Sequence, residues 1–260
     1  GSHKKGVYVI GNESAIIQFL DNASEITPIN LNARTTSNLN SISFYRYGGL
    51  GVAVGENCQV LRSTDKVTWR QQTITGCGTT NLNDSTVYSN QMINITGDNG
   101  IFISSTNAGS SWQIRTIQTG VNLSSIEWLS GTNGLVARED GTGIYTTDDT
   151  GFSWSFTPVR SPVDTNPSTS SSAVFSPYTG MVWLSGSHGG TGRIVSGSGI
   201  SDYWVRARSV SHIDINDSHF YERNEQIHGI IITDKGGIFR TANNGVSLSL
   251  IHISEPTRPY

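Results

Sequence analysis

Gly143-Ile-Tyr-Thr-Thr-Asp-Asp-Thr-Gly-Phe-Ser-Trp154 decides the fold, because the chain repeats nearly the same phrase three more times. Gly100-Ile-Phe-Ile-Ser-Ser-Thr-Asn-Ala-Gly-Ser-Ser-Trp112 and Cys58-Gln-Val-Leu-Arg-Ser-Thr-Asp-Lys-Val-Thr-Trp69 precede it, and Gly237-Ile-Phe-Arg-Thr-Ala-Asn-Asn-Gly-Val-Ser247 follows. Trp69, Trp112, Trp154 and Trp204 recur at intervals of 43, 42 and 50 residues. A second marker, the glycine closing the preceding apolar run, falls at Gly11, Gly55, Gly97 and Gly186, with Glu139 and Thr233 in equivalent slots. Each unit opens on an alternating run such as Ser41-Ile-Ser-Phe-Tyr45 or Ser125-Ile-Glu-Trp128. A self-similar period of this length, with four short strands and turn signals between them, describes a β-propeller blade. No unit holds an apolar stripe of helical period.

The expected fold is therefore all-β, a propeller of about six four-stranded antiparallel blades over 6–30, 39–75, 82–118, 123–159, 171–209 and 214–253. The first blade lacks an inner strand, since nothing before Gly6 supplies one. Composition agrees: 260 residues with 35% hydrophobic content suffice for a core, and 29 glycines against 17 Lys+Arg argue against helical faces. A net charge of −3 without a basic run gives no electrostatic footprint for nucleic acid. No apolar stretch reaches the length of a membrane span, so neither nucleic acid nor a membrane is an expected partner.

Both ends read as foreign to the domain. Residues 1–5 open with Gly1-Ser2-His3, the pattern of an affinity-tag remnant, which leaves the original compartment unwritten. Leu248-Ser-Leu-Ile-His-Ile-Ser-Glu-Pro-Thr-Arg258 resembles a translated sequencing adapter, which puts the native frame's end near Ser247 and makes 248–260 a non-native tail on an environmental, viral or bacterial, sequence.

The tryptophan-terminated phrase resembles the Asp-box, or BNR repeat, of sialidase-like, sortilin-like and photosystem-assembly-factor-like propellers, and is most similar to the last branch from Gly51 through Trp69. Its pattern is Ser/Thr, any, Asp, any, Gly, any, Ser/Thr, Trp. Thr147 to Trp154 matches throughout; the second copy has Asn107 for Asp before Trp112; the last has Asn243 and Gly245 but Leu248 for Trp. Ser63 to Trp69 is one residue short and lacks the glycine. The box is a hairpin device: Asp65 or Asp149 accepts backbone N–H bonds, Gly151 supplies a positive φ, and Trp69, Trp112 or Trp154 buries indole area. It carries no catalytic chemistry.

The ligand face expected of a propeller holds the turns between second and third strands and the connections between blades. Those turns carry Glu13, Glu56, Asp98, Glu139 with Asp140, His188 and Asp234, with Arg34, Arg138 and Lys235 nearby to neutralise them. Converging carboxylates could hold a cation or a basic partner, although Asp, Asn and Gly are also ordinary hairpin residues. The resemblance also implies an enzymatic alternative, a sialidase-like glycoside hydrolase. That chemistry needs an arginine triad around a planar carboxylate, of which Tyr45-Arg46-Tyr47-Gly48 is a poor echo on the opposite face. Glu56 and Glu139 offer a carboxylate pair of unspecified separation. No catalytic residue, metal ligand set or cofactor is assigned, since the histidines show no ligand spacing and the glycines do not precede helices.

The favoured reading is a non-catalytic propeller that binds a protein or glycan through that face. It would serve as an assembly factor or as a surface or virion recognition module, in an extracytoplasmic, secreted or virion setting. Cys58 and Cys77 could form a disulfide in an oxidising compartment, with Gly76 and Gly78 curling the chain back. The first blade's missing inner strand predicts an open seam through which chains could self-associate.

Overall fold

The computed structural model describes residues 6–20, 26–28, 36–158, 170–176, 181–186, 191–195, 203–204, 215–223, 226–233, 237–242 and 249–253. Apart from single 3-10 turns at Asn12–Ser14 and Asp98–Gly100, every regular element among them is a strand. The first sheet has three: β1 (Gly6–Ile10), β2 (Ile16–Leu20) and β3 (Ile26–Pro28), in that order. The second comprises β4 (Leu39–Phe44), β5 (Gly51–Gly55), β6 (Gln59–Ser63) and β7 (Trp69–Gln71). The third comprises β8 (Leu82–Val87), β9 (Ile93–Gly97), β10 (Ile101–Ser105) and β11 (Gln113–Thr116). The fourth comprises β12 (Leu123–Trp128), β13 (Gly134–Arg138), β14 (Gly143–Thr147) and β15 (Ser155–Pro158). The fifth runs through β16 (Ser170–Ser176), β17 (Met181–Gly186), β18 (Thr191–Val195) and β19 (Tyr203–Trp204). The sixth runs through β20 (Ile215–Arg223), β21 (Gln226–Thr233), β22 (Gly237–Thr241) and β23 (Ser249–Ile253). Each is an up-and-down meander, and the molecule is a β-propeller.

Two compact units divide the chain: residues 1–134 with 147–154, and 135–146 with 155–260. The core of the first unit is described in most detail. Strands β5 and β9 are buried along their whole length, because their sheets are covered on both faces. Leu50, Val52, Val54, Val60, Leu82, Ile93, Ile95 and Ile103 form one apolar cluster with Cys77, and Ile16, Leu39, Ala53, Leu61 and Trp69 form another.

The marker glycines have a physical reason in this unit. A Cβ on Gly55 would lie 2.8 Å from Leu39 Cα, and one on Gly97 would lie 2.9 Å from Leu82 Cα. Each glycine therefore makes room for the chain entering the inner strand of its own sheet. The inner strands share a second device, absent from the sequence reading. Register slips by one residue between Leu39 and Ser41 and between Leu82 and Asp84, which makes Asn40 and Asn83 bulge residues. The same slip falls between Ser170 and Ser172 and between Ile215 and Asp217 in the other unit.

Strand β23 is built from residues assigned to the tail, and it pairs with β22 from Gly237↔Ile253 to Arg240↔Ser249. Alternating apolar residues take up an open edge whatever their origin.

Candidate functional site

In the first unit the turns between second and third strands are locked by a repeated asparagine. Asn38 precedes β4: its Oδ1 accepts from the Glu13 N–H at 3.4 Å, and its Nδ2 donates to Glu56 Oε1 at 3.2 Å. Asn81 precedes β8 and repeats this, accepting from the Asn57 N–H at 3.4 Å and donating to Asp98 Oδ2 at 3.1 Å. Asn122 precedes β12 and accepts from the Asn99 N–H at 3.2 Å. Each asparagine thus joins the turn of the preceding sheet to the strand it opens. The donors follow from backbone shape, since Glu13, Asn57 and Asn99 occupy the left-handed region at φ 53°, 55° and 55°. That places Glu13 level with the two asparagines, not with Glu56 and Asp98.

The candidate acids therefore divide. Glu56 and Asp98 orient the asparagines, and Asp98 Oδ1 also accepts from Asn83 Nδ2 at 3.0 Å. Glu13, Asn57, Asn99 and Asn122 are exposed and form a rim of carboxylate and amide groups at this end of the unit. In the second unit Arg138 pairs with Asp140 through two bonds, Nε to Oδ1 at 3.0 Å and Nη2 to Oδ2. Burial works against ionisation of Asp140, but Arg138 and the Thr142 amide and hydroxyl outweigh it and hold the carboxyl low. Glu139 beside them is exposed. Arg34, His188, Asp234, Lys235 and Asn243 lie outside the described residues.

Deeper in the first unit, inner strands are tied side by side. Asn40 Nδ2 donates to the Leu82 carbonyl, and Asn83 Nδ2 to the Leu123 carbonyl, both at 2.9 Å. The bulges aim these amides at the next sheet. Asp84 on β8 accepts from Ser41 Oγ at 2.8 Å, its neighbour Ser85 N–H at 2.8 Å and Ile126 N–H at 2.9 Å. Burial pushes its carboxyl up against these donors. Glu127 on β12 keeps partial access to solvent. Burial among protein atoms, and then the charge of Asp84, still push it up to about 8. Both carboxyls are thus raised, Asp84 by burial against its donors and Glu127 by burial and then by Asp84. Neither residue stands out in the sequence, because Glu127 sits at an alternating position of an ordinary strand.

At the other end of the unit the tryptophan-terminated turns share one wiring. Asp65 Oδ1 accepts from Ser63 Oγ at 3.0 Å, Val67 N–H at 2.8 Å and Thr68 N–H at 2.6 Å. Asp149 Oδ1 accepts from Thr147 Oγ1 at 2.8 Å, Phe152 N–H at 3.0 Å and Ser153 N–H at 2.9 Å. Asn107 Oδ1 accepts from Ser105 Oγ at 3.0 Å and Ser111 N–H at 2.9 Å. Ala108–Gly109 and Thr150–Gly151 are left-handed pairs, where the shorter turn has the single left-handed Lys66. One residue fewer thus removes one left-handed step and keeps the bonds. Trp69 is buried against Phe44, whereas Trp112 and Trp154 are half-buried, Trp154 edge-on to Phe102 and Trp128. Cys58 and Cys77 are bonded, with Cα atoms 5.9 Å apart.

No protein-family model and no curated protein sequence matches the chain. Solved structures do. The chain is similar to YCF48 bound to D1 peptide, with a TM-score of 0.73 at 14% identity, covering 95% of this chain and 77% of that one. It is similar to YCF48 from Cyanidioschyzon merolae at 0.69 and 15% identity, covering 96% and 83%. A GH74 xyloglucanase from Xanthomonas campestris follows at 0.71 and 11% identity, covering 96% of this chain but 44% of that one. At such identities the likeness is one of fold.

Proposed function

We propose that this chain is a non-catalytic β-propeller that binds a polypeptide through the face carrying the second-to-third-strand turns, as an assembly or recognition module. The observation that carries the reading is the rim of Glu13, Asn57, Asn99 and Asn122, exposed side chains on turns that the asparagine bonds hold rigid. Fixed donors and acceptors on a rigid scaffold match an extended backbone at low ordering cost. A similar propeller is known with a bound peptide, which makes the use of the fold reasonable without deciding this chain's ligand. The turns with Asp65, Asn107 and Asp149 fit the Asp-box reading and act as structure.

Peptide and glycan arrays probed with the labelled protein test this. Glu13→Gly, Asn57→Gly and Asn99→Gly together keep the left-handed turns while deleting the rim side chains. Loss of peptide signals with an unchanged melting temperature supports the proposal; retention of all of them by the triple variant overturns it. Signals on the glycan array alone move the ligand to a sugar.

Glycoside hydrolysis is the second reading, favoured by one observation. Two carboxyls, Glu127 and Asp84, interact on adjacent inner strands, and burial with the charge of Asp84 pushes Glu127 up to about 8, the kind of proton-holding acid such chemistry uses. Turnover of sialosides or β-glucans by the wild type, lost in Glu127→Gln, is its signature. Absence of turnover in the wild type ends it.

A further inference from the structure

Arg62 and Arg70 stand directly opposite each other on β6 and β7, a like-charge cross-strand pair. Such a pair raises the energy of a sheet unless a counter-charge sits between the two side chains. Among the described residues neither guanidinium has an ion pair, since the one such pair is Arg138 with Asp140. Thr64 and Thr68 stand in the turn that joins these strands, just beyond the Ser63↔Trp69 pair. These four residues and Asp65 line an open cavity of about 260 Å³.

Arg62 is held in advance of any ligand. Its Nε donates to the carbonyl of Ala108, and its stem lies along Gly109, where a Cβ would come within 2.8 Å of Arg62 Cδ. That bond uses one edge of the guanidinium and leaves the Nη groups for another acceptor. Arg70 is exposed and closes the cavity from the opposite strand. The carboxylate of Asp65 is already engaged: burial opposes its charge, but the Thr68 and Val67 amides and the Thr68 and Ser63 hydroxyls hold it down to about 2. Thr68 thus spends its hydroxyl on Asp65, while that of Thr64 has no partner among the described residues.

We propose that the Arg62–Arg70 cavity binds a tetrahedral oxyanion, a phosphoryl or sulfo group, through the Nη groups of both arginines and the hydroxyl of Thr64. Two guanidiniums match a dianion with several acceptor oxygens better than a single planar carboxylate, which one arginine satisfies. Asp65 stays ionised at the rim and offsets part of the arginines' charge, so preference for a tetrahedral group over a carboxylate rests on the number of acceptor oxygens and not on total charge. The cavity lies on the outer hairpin of the second sheet, away from the asparagine-locked turns, and does not depend on the function proposed for them.

The test is a titration of the whole chain with sodium phosphate at constant ionic strength, following the Nε–Hε resonances of its arginines by NMR and the thermal midpoint. Saturable shifts confined to Arg62 and Arg70, with a rising midpoint, are expected. Arg70→Gln should weaken phosphate at least about tenfold, the loss of one charge-assisted contact, without lowering the midpoint in phosphate-free buffer. Thr64→Val, which leaves Arg62 and its Ala108 anchor intact, should weaken it less. Acetate binding as tightly as phosphate, a shift that never saturates, or an equal response from Arg70→Gln would each overturn the proposal. Glucose 6-phosphate, phosphoserine and tyrosine sulfate serve as further arms. Tighter binding of an ester than of inorganic phosphate identifies a carried group, and equal binding identifies the free oxyanion.

Discussion

Glu127 fixes the sign of a pH effect on stability. Its carboxyl stands at about 8 in the folded chain against 4.5 ordinarily, raised by burial and then by Asp84 on the facing strand. Between those two values the folded chain holds a proton that the unfolded chain releases. The contribution of Glu127 to stability is therefore fully present below 4.5, falls as pH rises through the window, and levels off above 8. The full slope is about 1.4 kcal/mol per pH unit, and the partial opening to solvent reduces it. Glu127→Gln should flatten the profile, leaving stability near pH 4.5 unchanged and raising it at pH 8. Urea midpoints of both proteins at pH 5 and pH 8 read this directly, and a wild-type midpoint that rises over that interval would contradict it. Sequence could not expose the effect, because Ser125-Ile-Glu-Trp128 carries the alternation of any half-buried strand. The same limit hid Asn38, Asn81 and Asn122. They stand in repeated Asn-Leu dipeptides, a usable signal, but asparagine between strands reads as turn composition until its partners are seen.

Among elements, the tryptophan-terminated turns were the most legible, since Ser/Thr, Asp/Asn and a left-handed residue at fixed offsets make one hydrogen-bonded shape. The bulges were not legible, because a one-residue slip leaves no mark in composition. The turn at Asp149 makes a test of its own. The Ser153 hydroxyl and amide, then Thr147, hold its carboxyl down to about 2. A lowered carboxyl contributes stability above its ordinary value of 3.8, and that contribution is lost as pH falls through about 2. Asn107 shows that an amide fills the same place in the neighbouring turn. Asp149→Asn should then keep the hairpin at pH 7 and remove its share of acid sensitivity between pH 4 and 2; a collapse at pH 7 would mean that the charge itself is required. Cys58 and Cys77 are a stronger staple. They close 19 residues of sequence separation, and Cys77 lies in the main apolar cluster. Cys77→Ser with Cys58→Ser should cost about 3 kcal/mol in chemical unfolding, the entropy of a loop of that size. Wild-type protein in reductant should approach the same midpoint, and an unchanged midpoint in both cases would deny the bond any role in stability.

At the scale of the molecule, the period of the repeat was enough to count six sheets and to see that the first would be short by one strand. It could not show how that deficit is met, because pairing of sheet edges depends on neighbours remote in sequence. Within the first unit the deficit has a measurable consequence. Strand β1 holds the place in its sheet that β5 holds in the next, yet β5 lies between β4 and β6 while β1 pairs with β2 alone among the described residues. Among the described residues no strand pairs with β1 on its side away from β2, so β1 should exchange faster than a strand paired on both sides. The amides of Val52 to Val54, flanked on both sides and fully buried, should exchange only through opening of the unit. Hydrogen exchange of the dilute protein, resolved to single amides by NMR, compares the two strands in one sample. Faster exchange on average over β1 than over residues 52–54 is the expected pattern. Equal protection would show that another strand covers the edge. If that protection then falls on dilution, the cover is a second chain; if it holds at every concentration, the cover belongs to this one.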